Sequence, residues 1–146
     1  MSQEYKRPES VLVVIYTAAS EVLLLERQQP AGYWQSVTGS LKGDETPLQA
    51  ALREVREETG LDVGDRLVDT GCTNRFEILP AWRSRYAPDV RYNTEHVFLA
   101  ELPQRLSVQL NDTEHRRFRW LPALQAALEA SSHTNQAAIE RYVLRR

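Results

Sequence analysis

Residues 39–61, GSLKGDETPLQAALREVREETGL, contain the clearest local structure signal in the chain, a helix with marked start and stop signals. Thr46 is a suitable N-cap, Pro47 occupies the favoured first helical position, and Gln49 completes a capping box. Gly60 is placed to end the helix in the left-handed backbone region. We therefore predict a helix between Thr46 and Gly60, preceded by a loop.

This helix carries two stripes of different character. The apolar stripe predicts a core face and consists of Leu48, Ala51, Leu52 and Val55. The neighbouring stripe consists of Glu54, Glu57 and Glu58, three carboxylates that repel one another at this spacing. Two interpretations follow. A charge run is usually a solvated face, whereas adjacent carboxylates can also supply the oxygen ligands that Mg²⁺ prefers.

The residues around the helix favour the cation site. Gly39 and Gly43 flank a loop that leads into the helix N-terminus, where backbone amides can meet phosphate oxygens. Glu45 stands just before the cap, and Arg53 lies next to Glu54, where it can pair with an acid and orient it. Together these features indicate metal-assisted attack of water on a phosphate anhydride.

Strand and helix patterns alternate along the rest of the chain. The predicted strands are 10–18, 21–28, a short one within 32–40, 66–79, 95–102, 106–110 and 116–121. Two further helices are predicted at 121–130 and 135–146, and a long loop at 80–94. The first strand is an almost continuous apolar run, which is typical of a strand buried on both faces. The predicted fold class is mixed α/β (α+β), with helices packed on the faces of a sheet.

Length and charge limit the class of protein. We expect one domain over residues 1–146, because this length is enough to bury a core. The net charge of −2 provides no overall attraction to nucleic acid or anionic lipid, so we expect neither as a partner. No apolar run approaches the roughly 20 residues of a membrane span. The N-terminus lacks a signal-peptide pattern and Cys72 is the single cysteine, so we expect a cytoplasmic protein. The oligomeric state stays open.

The charged segment also resembles the Nudix box without any departure. The matching positions are Gly39, Glu45, Arg53, Glu54, Val55, Glu57, Glu58, Gly60 and Leu61. The resemblance implies a Nudix hydrolase of phosphate anhydrides that uses Mg²⁺, with Mn²⁺ as an alternative. It also implies the Nudix fold, a mixed sheet sandwiched between helices, with the box as a loop-helix-loop.

By position, the resemblance implies roles for the box residues. Glu54 and Glu58 resemble the principal metal ligands, with Glu57 assisting. Arg53 and Glu45 resemble supports of the loop and of those acids, and the Gly39 carbonyl is a further candidate ligand.

A further ligand is expected from outside the box. Helical carboxylates cover only one side of an octahedral cation. Glu114, in a loop between two predicted strands, resembles such a ligand, and Glu95 is the competing candidate. Without the resemblance, Glu114 would be interpreted as a surface acid paired with a neighbouring arginine. The histidines His96, His115 and His133 form no metal-ligand pattern in the sequence.

Stretches across nearly the whole chain resemble one group within this superfamily, the bacterial dihydroneopterin triphosphate diphosphatases. They include YKRPESVLVVIY (5–16), WQSVTGS (34–40), FEIL (76–79), TEHRRFRWL (113–121) and NQAAIE (135–140). The resemblance implies that a set of residues contacts substrate, namely Lys6, Arg27, Thr38, Gly39, Phe76, Glu77, Ile78, Leu79 and Ser132.

Physical reasons support some of these contacts. Lys6 and Arg27 are cations suited to a triphosphate. Phe76 could stack on a flat pterin ring, and Glu77 could accept hydrogen bonds from its N–H groups. The alternatives are a terminal charge for Lys6, a solvated strand end for Arg27, and plain core packing for Phe76.

The resemblance implies hydrolysis of 7,8-dihydroneopterin triphosphate to the monophosphate and pyrophosphate, a step of folate biosynthesis. One alternative is a nucleotide-pool enzyme acting on (deoxy)nucleoside triphosphates, since guanine and pterin share hydrogen-bonding edges. Another is a non-catalytic Nudix-fold module that binds a nucleotide. Such a module would be expected to lose box carboxylates, and this chain retains all of them.

Overall fold

A seven-stranded mixed sheet lies between helices on its two faces, in a computed structural model that describes residues 4–146. The strands are β1 (Glu9–Thr17), β2 (Glu21–Arg27), β3 (Trp34–Gln35), β4 (Val37–Ser40), β5 (Leu67–Glu77), β6 (Tyr92–Leu102) and β7 (His115–Pro122). Their order is β3-β2-β1-β6-β5, with β4 also paired to β1 and β7 to β2. The β1–β6 pair is parallel and the other pairs are antiparallel. The predicted mixed α/β architecture, with helices on the faces of a sheet, is confirmed.

The helices are α1 (Pro47–Thr59), α2 (Ala123–Glu129) and α3 (His133–Ile139), which continues as a π-helical turn over Glu140–Leu144. Two short 3₁₀ helices lie at Gly64–Arg66 and Pro80–Arg85. Over the described part of the chain, no helix has both the length and the apolar character to cross a membrane.

Strand β1 separates two hydrophobic cores, because successive strand side chains point to opposite faces. Val11, Val13 and Ile15 pack in the core on the α1 side. Leu12 and Val14 pack in the core that includes residues of α2 and α3. All five side chains are buried, so the prediction of a strand covered on both faces is confirmed.

Helix α1 begins and ends as its sequence predicts. The Thr46 hydroxyl accepts a hydrogen bond from the Gln49 amide at 3.2 Å, and the Gln49 side chain accepts one from the Thr46 amide at 2.9 Å. Gly60 follows with φ of 75°, and its N–H donates to the Arg56 carbonyl. The capping box and the left-handed cap are local devices, which is why the sequence predicted them well.

The prediction that Leu48 faces the core is wrong, because its side chain is 48% exposed. Leu48 lies in the first turn of the helix. The rest of the predicted core face is confirmed, because Ala51 and Val55 are buried and Leu52 packs against the same core. The apolar periodicity therefore identified the core face, and Glu54 and Glu58 of the acidic stripe are buried in addition to it.

Two segments between the predicted elements differ from expectation. Residues 106–110 do not form a strand. Val108 and Leu110 nevertheless pack against the α1-side core, and the Gln109 amide donates to the Thr59 carbonyl at 2.8 Å. Their alternation reflects this packing at the end of α1, not pairing in the sheet. The predicted loop at 80–94 contains the 3₁₀ helix Pro80–Arg85 and the first residues of β6.

Candidate active site

A cavity of about 490 Å³ opens where the end of β2, strand β4, helix α1 and the first residues of β6 come together. Glu54, Glu57 and Glu58 of α1 line one part of it, and Phe76 at the end of β5 lines another. This volume lies within the usual range for small-molecule sites. The predicted acids and the predicted aromatic contact therefore share one cavity.

The acidic stripe of α1 is not simply a solvated face. Glu54 is 8% exposed and Glu58 only 1%. Glu57 differs, with a side chain that is 48% exposed. Burial of ionised carboxylates is costly unless they are paired or bind a cation, so the two buried acids need partners that a solvated face would not.

Arg53 supplies part of that pairing. Its guanidinium donates to both oxygens of Glu45, at 2.7 and 2.8 Å, in a two-pronged ion pair. It also donates to Glu54 at 2.7 Å and to Glu57 at 3.1 Å, and to the Ser40 carbonyl at 3.0 Å. The Arg53 hydrogen bonds hold the pKa of Glu45 down at about 2. One cation thus offsets repulsion along the stripe and ties α1 to the preceding loop.

Glu58 lacks such pairing. Both of its carboxylate oxygens are buried. Neither has a hydrogen-bond partner among residues 4–146. Burial, followed by the neighbouring Glu54, raises the pKa of Glu58 well above its usual range. Buried carboxylate oxygens that accept no hydrogen bond, and that lie beside other carboxylates, are suitable ligands for a hard divalent cation.

Glu114 and His115 complete a cluster around Glu58. One potential ligand atom from each of the three residues lies within 4.8 Å of the others. His115 Nε2 is 3.6 Å from Glu58 Oε1. Burial, and secondarily Arg27, lowers the pKa of His115 to about 4, so its imidazole is neutral near pH 7. Glu95, the competing candidate for the outside ligand, is not part of this cluster.

Sequence reasoning missed the position of His115. The signal was present, because His115 directly follows Glu114 and begins strand β7. The β2–β7 pairing places His115 opposite Arg27, at the end of β2 that lines the cavity. Only this pairing brings the histidine to the acids of α1.

Several cations also line the cavity. Lys6 and Arg27, for which the resemblance implies substrate contacts, line it together with Lys42 and Arg85, which the sequence had not singled out. Burial lowers the pKa of Lys6, and Arg85 and Arg27 lower it further. Cations held together at such a cost favour a polyanionic ligand. Arg27 is also oriented, with its guanidinium 5.8 Å from the Trp82 ring centroid.

The other predicted substrate contacts divide into two groups. Thr38, Gly39, Phe76 and Ile78 line the cavity. The residues outside its lining are Glu77, Leu79 and Ser132. Their contacts with substrate stay predictions.

Glu77 and Ser132 bond to other residues of the protein, and Leu79 is exposed. Glu77 forms an ion pair with Arg83 at 2.9 Å, and Leu79 is 57% exposed. Ser132 caps α3 by accepting a hydrogen bond from the Asn135 amide at 3.2 Å.

Known proteins resemble this chain closely. The NUDIX domain model matches residues 6–144. The chain is 45% identical to the dihydroneopterin triphosphate diphosphatase of Escherichia coli strain K12 over 144 residues, which are 96% of this chain and 95% of that protein. It is 41% identical to the Haemophilus influenzae protein of the same name, over 98% of this chain and 92% of that one.

A solved structure agrees with these sequence relatives. The structure of the E. coli dihydroneopterin triphosphate pyrophosphohydrolase superposes with a TM-score of 0.89 at 44% identity, covering 99% of this chain and 100% of that one. The family model spans nearly all of the chain, and Glu54, Glu57 and Glu58 within the matched region line the cavity described above. On this evidence, the chain belongs to the NUDIX domain family.

Proposed function

We propose that this protein hydrolyses 7,8-dihydroneopterin triphosphate to dihydroneopterin monophosphate and pyrophosphate. The observation that carries the proposal is the 45% identity, over 96% of the chain, to an E. coli protein named for that activity. The cavity supports it, because both cations and the apolar side chains of Phe76 and Ile78 line it. A triphosphate suits the former and a flat ring suits the latter.

The residues that would hold the divalent cation are Glu54, Glu57, Glu58 and Glu114, with Mg²⁺ as the expected ion and Mn²⁺ as an alternative. The unpaired, buried oxygens of Glu58 and the proximity of Glu114 support this assignment. When bound, such an ion supplies positive charge to the phosphate oxygens and to the departing pyrophosphate.

In this proposal, side chains of the protein orient the metal ligands and bind the substrate. Arg53 and Glu45 hold Glu54 in orientation through the hydrogen bonds described above. Lys6 and Arg27 bind the triphosphate, and Phe76 lies against the ring.

The remaining predictions extend this function. Residues 1–146 are proposed to form a single Nudix hydrolase domain whose partner is a small molecule, not nucleic acid or a membrane. A cytoplasmic location is proposed, consistent with a small phosphorylated substrate and a single cysteine.

A substrate panel tests the proposal. Pyrophosphate release would be measured with Mg²⁺ for dihydroneopterin triphosphate, the eight common nucleoside triphosphates and a dinucleoside polyphosphate. We expect the highest kcat/KM for dihydroneopterin triphosphate. A common nucleoside triphosphate with a higher kcat/KM would instead support a nucleotide-pool enzyme, and no turnover of any compound would support a binding module.

A further inference from the structure

Two buried polar residues of β6 line the cavity away from the acids of α1. Asn93 is 3% exposed and Glu95 is 6% exposed, yet both belong to the cavity wall. They are two residues apart on one strand, so their side chains lie on the same face of the sheet. The β5–β6 pairing places Phe76 opposite Asn93, and Asn74 opposite Glu95.

Hydrogen bonds to neighbouring side chains orient both residues and leave each with an oxygen that can accept a further hydrogen bond. Asn74 Nδ2 donates to Glu95 Oε1 at 3.1 Å. Asn93 Nδ2 donates to Ser10 Oγ at 2.7 Å, which leaves the amide oxygen as the free group of Asn93. That oxygen is buried and has no hydrogen-bond partner in the described chain. A carboxylate has about four acceptor sites, so Glu95 retains capacity beyond its protein partners.

Building on the proposed function, we propose that Glu95 and Asn93 recognise the substrate ring by its hydrogen-bond donors. A pterin carries a 2-amino group next to a ring N–H, two donors along one edge. Glu95 accepts hydrogen bonds from this edge, Asn93 provides a second acceptor beside it, and Phe76 lies against the face of the ring. The site is therefore selective for a 2-amino-4-oxopyrimidine ring.

Other heterocyclic rings differ from a pterin in the hydrogen-bond donors that they present to these acceptors. Guanine has the same pair of adjacent donors, so a guanine nucleotide fits the same acceptors. Hypoxanthine lacks the 2-amino donor. Adenine presents an unprotonated ring nitrogen where the pterin N–H would be, which places an acceptor against an acceptor.

Burial of Glu95 supports a role in binding donors. Burial raises the pKa of this carboxyl, with Asn74 and Thr134 offsetting the effect only in part. Donors from a ligand would stabilise the buried carboxylate further. By contrast, Glu77, the carboxylate predicted from the sequence to meet the ring, is 63% exposed in its side chain and pairs with Arg83.

The experiment compares ligands that differ in one donor. GTP, ITP and ATP would be measured with Mg²⁺ as substrates, or as competitive inhibitors of dihydroneopterin triphosphate hydrolysis where their turnover is undetectable. The wild-type protein should favour GTP over ITP by about 10- to 100-fold, the scale of one hydrogen bond to a charged group. Equal values for GTP and ITP would overturn the inference without any variant being made.

Variants then locate the acceptor. Glu95→Gln should raise KM for dihydroneopterin triphosphate by about 10- to 100-fold and bring the GTP/ITP ratio close to one. The Mg²⁺ concentration for half-maximal rate should not change. The control is Glu101→Gln, which alters an exposed carboxylate on the same strand and should change neither value. An unchanged KM in Glu95→Gln, or loss of the GTP/ITP ratio in Glu77→Gln instead, would overturn the assignment.

These outcomes are distinguishable from failure of the proposed function. A wild-type protein that prefers dihydroneopterin triphosphate but does not distinguish GTP from ITP retains the proposed function and refutes the ring recognition. A protein that prefers another triphosphate refutes the proposed function, and the GTP/ITP ratio still decides whether Glu95 and Asn93 bind the donor edge.

Discussion

The carboxylate of Glu54 lies against the backbone of Gly39, so closely that a β-carbon at position 39 would be 2.3 Å from Glu54 Cδ. Glycine is needed there because of space, not backbone conformation, since the φ of Gly39 lies outside the left-handed region. The contact joins β4 to α1 at the cavity, where both residues line the wall.

Gly39→Ala should therefore displace Glu54 while the fold survives. The clash involves the end of a flexible side chain, which can move at little cost to stability. We expect kcat/KM to fall by about 100-fold, the scale of one lost electrostatic contact to transition-state charge, with Tm almost unchanged. Adding Glu54→Asp shortens the side chain and should restore part of the metal affinity, measured by calorimetry with Mn²⁺. Wild-type activity in Gly39→Ala would show that the position of Glu54 is unimportant.

Glu58→Gln should separate stability from activity. The amide keeps the shape of the side chain but removes a buried carboxyl group whose ionised form has no donor among the described residues. We expect kcat to fall by about 100-fold or more. Without metal at pH 7, Tm should rise by about 2–4 °C, corresponding to ~1 kcal/mol. Near-normal activity at saturating Mg²⁺ would return this acid to a purely structural role.

Glu114→Gln should weaken metal binding without destabilising the fold. Glu114 belongs to the cluster around Glu58, whereas Glu95 does not. We expect the Mg²⁺ concentration for half-maximal rate to increase in Glu114→Gln and to stay unchanged in Glu95→Gln. Direct titration with Mn²⁺ provides a readout independent of turnover. The opposite pattern would make Glu95 the ligand from outside the box, and no change in either would leave the metal to the box alone.

The Arg53–Glu45 pair predicts a pH dependence of stability. Hydrogen bonds from Arg53 lower the pKa of Glu45 from 4.5 to about 2. Between these values the unfolded chain binds more protons than the folded one, so ionised Glu45 stabilises the fold above pH 4.5. That contribution is lost as the pH falls towards 2.

Urea unfolding of the metal-free protein tests this sign. The difference in unfolding free energy between wild type and Glu45→Gln should be largest near pH 6–7 and should shrink progressively below about pH 4.5. Asp44→Asn, a change at an exposed neighbouring acid, is the control. A difference that grows as the pH falls would contradict the pairing.

Ser132→Ala should affect stability more than substrate binding, although the family resemblance predicts a substrate contact. The Ser132 hydroxyl caps α3, so its loss should cost about 1 kcal/mol and lower Tm by about 2–4 °C. Ser132→Asn retains a capping side chain and should restore most of this stability. An increase in KM at unchanged Tm would instead establish the substrate contact.

Helix α1 shows how much of the site could be predicted from the sequence. Its cap at Thr46, its end at Gly60 and its three-glutamate stripe depend on contacts within a few residues. The box spacing likewise placed Arg53 beside Glu54, and the two are hydrogen bonded. Such features are encoded locally, and the structure agrees with each of them.

Other features depended on how elements pack together. Leu48 of the predicted core stripe is exposed, whereas Glu58 of the acidic stripe is buried. The alternation at residues 106–110 resembled a strand, but its apolar side chains meet the end of α1 without a sheet partner. Periodicity reports which side chains prefer burial and does not identify the surface that buries them.

The sequence by itself determined the fold class, most of the strands, the capped helix and the set of box acids, because these arise from residue spacing and local hydrogen bonding. Only the tertiary structure decided that His115 approaches Glu58 and that Glu95, not Glu77, lines the cavity. The reason is strand pairing: β2 with β7, and β5 with β6, bring together residues that are far apart in the chain. No local pattern specifies which of these distant side chains will share a cavity wall.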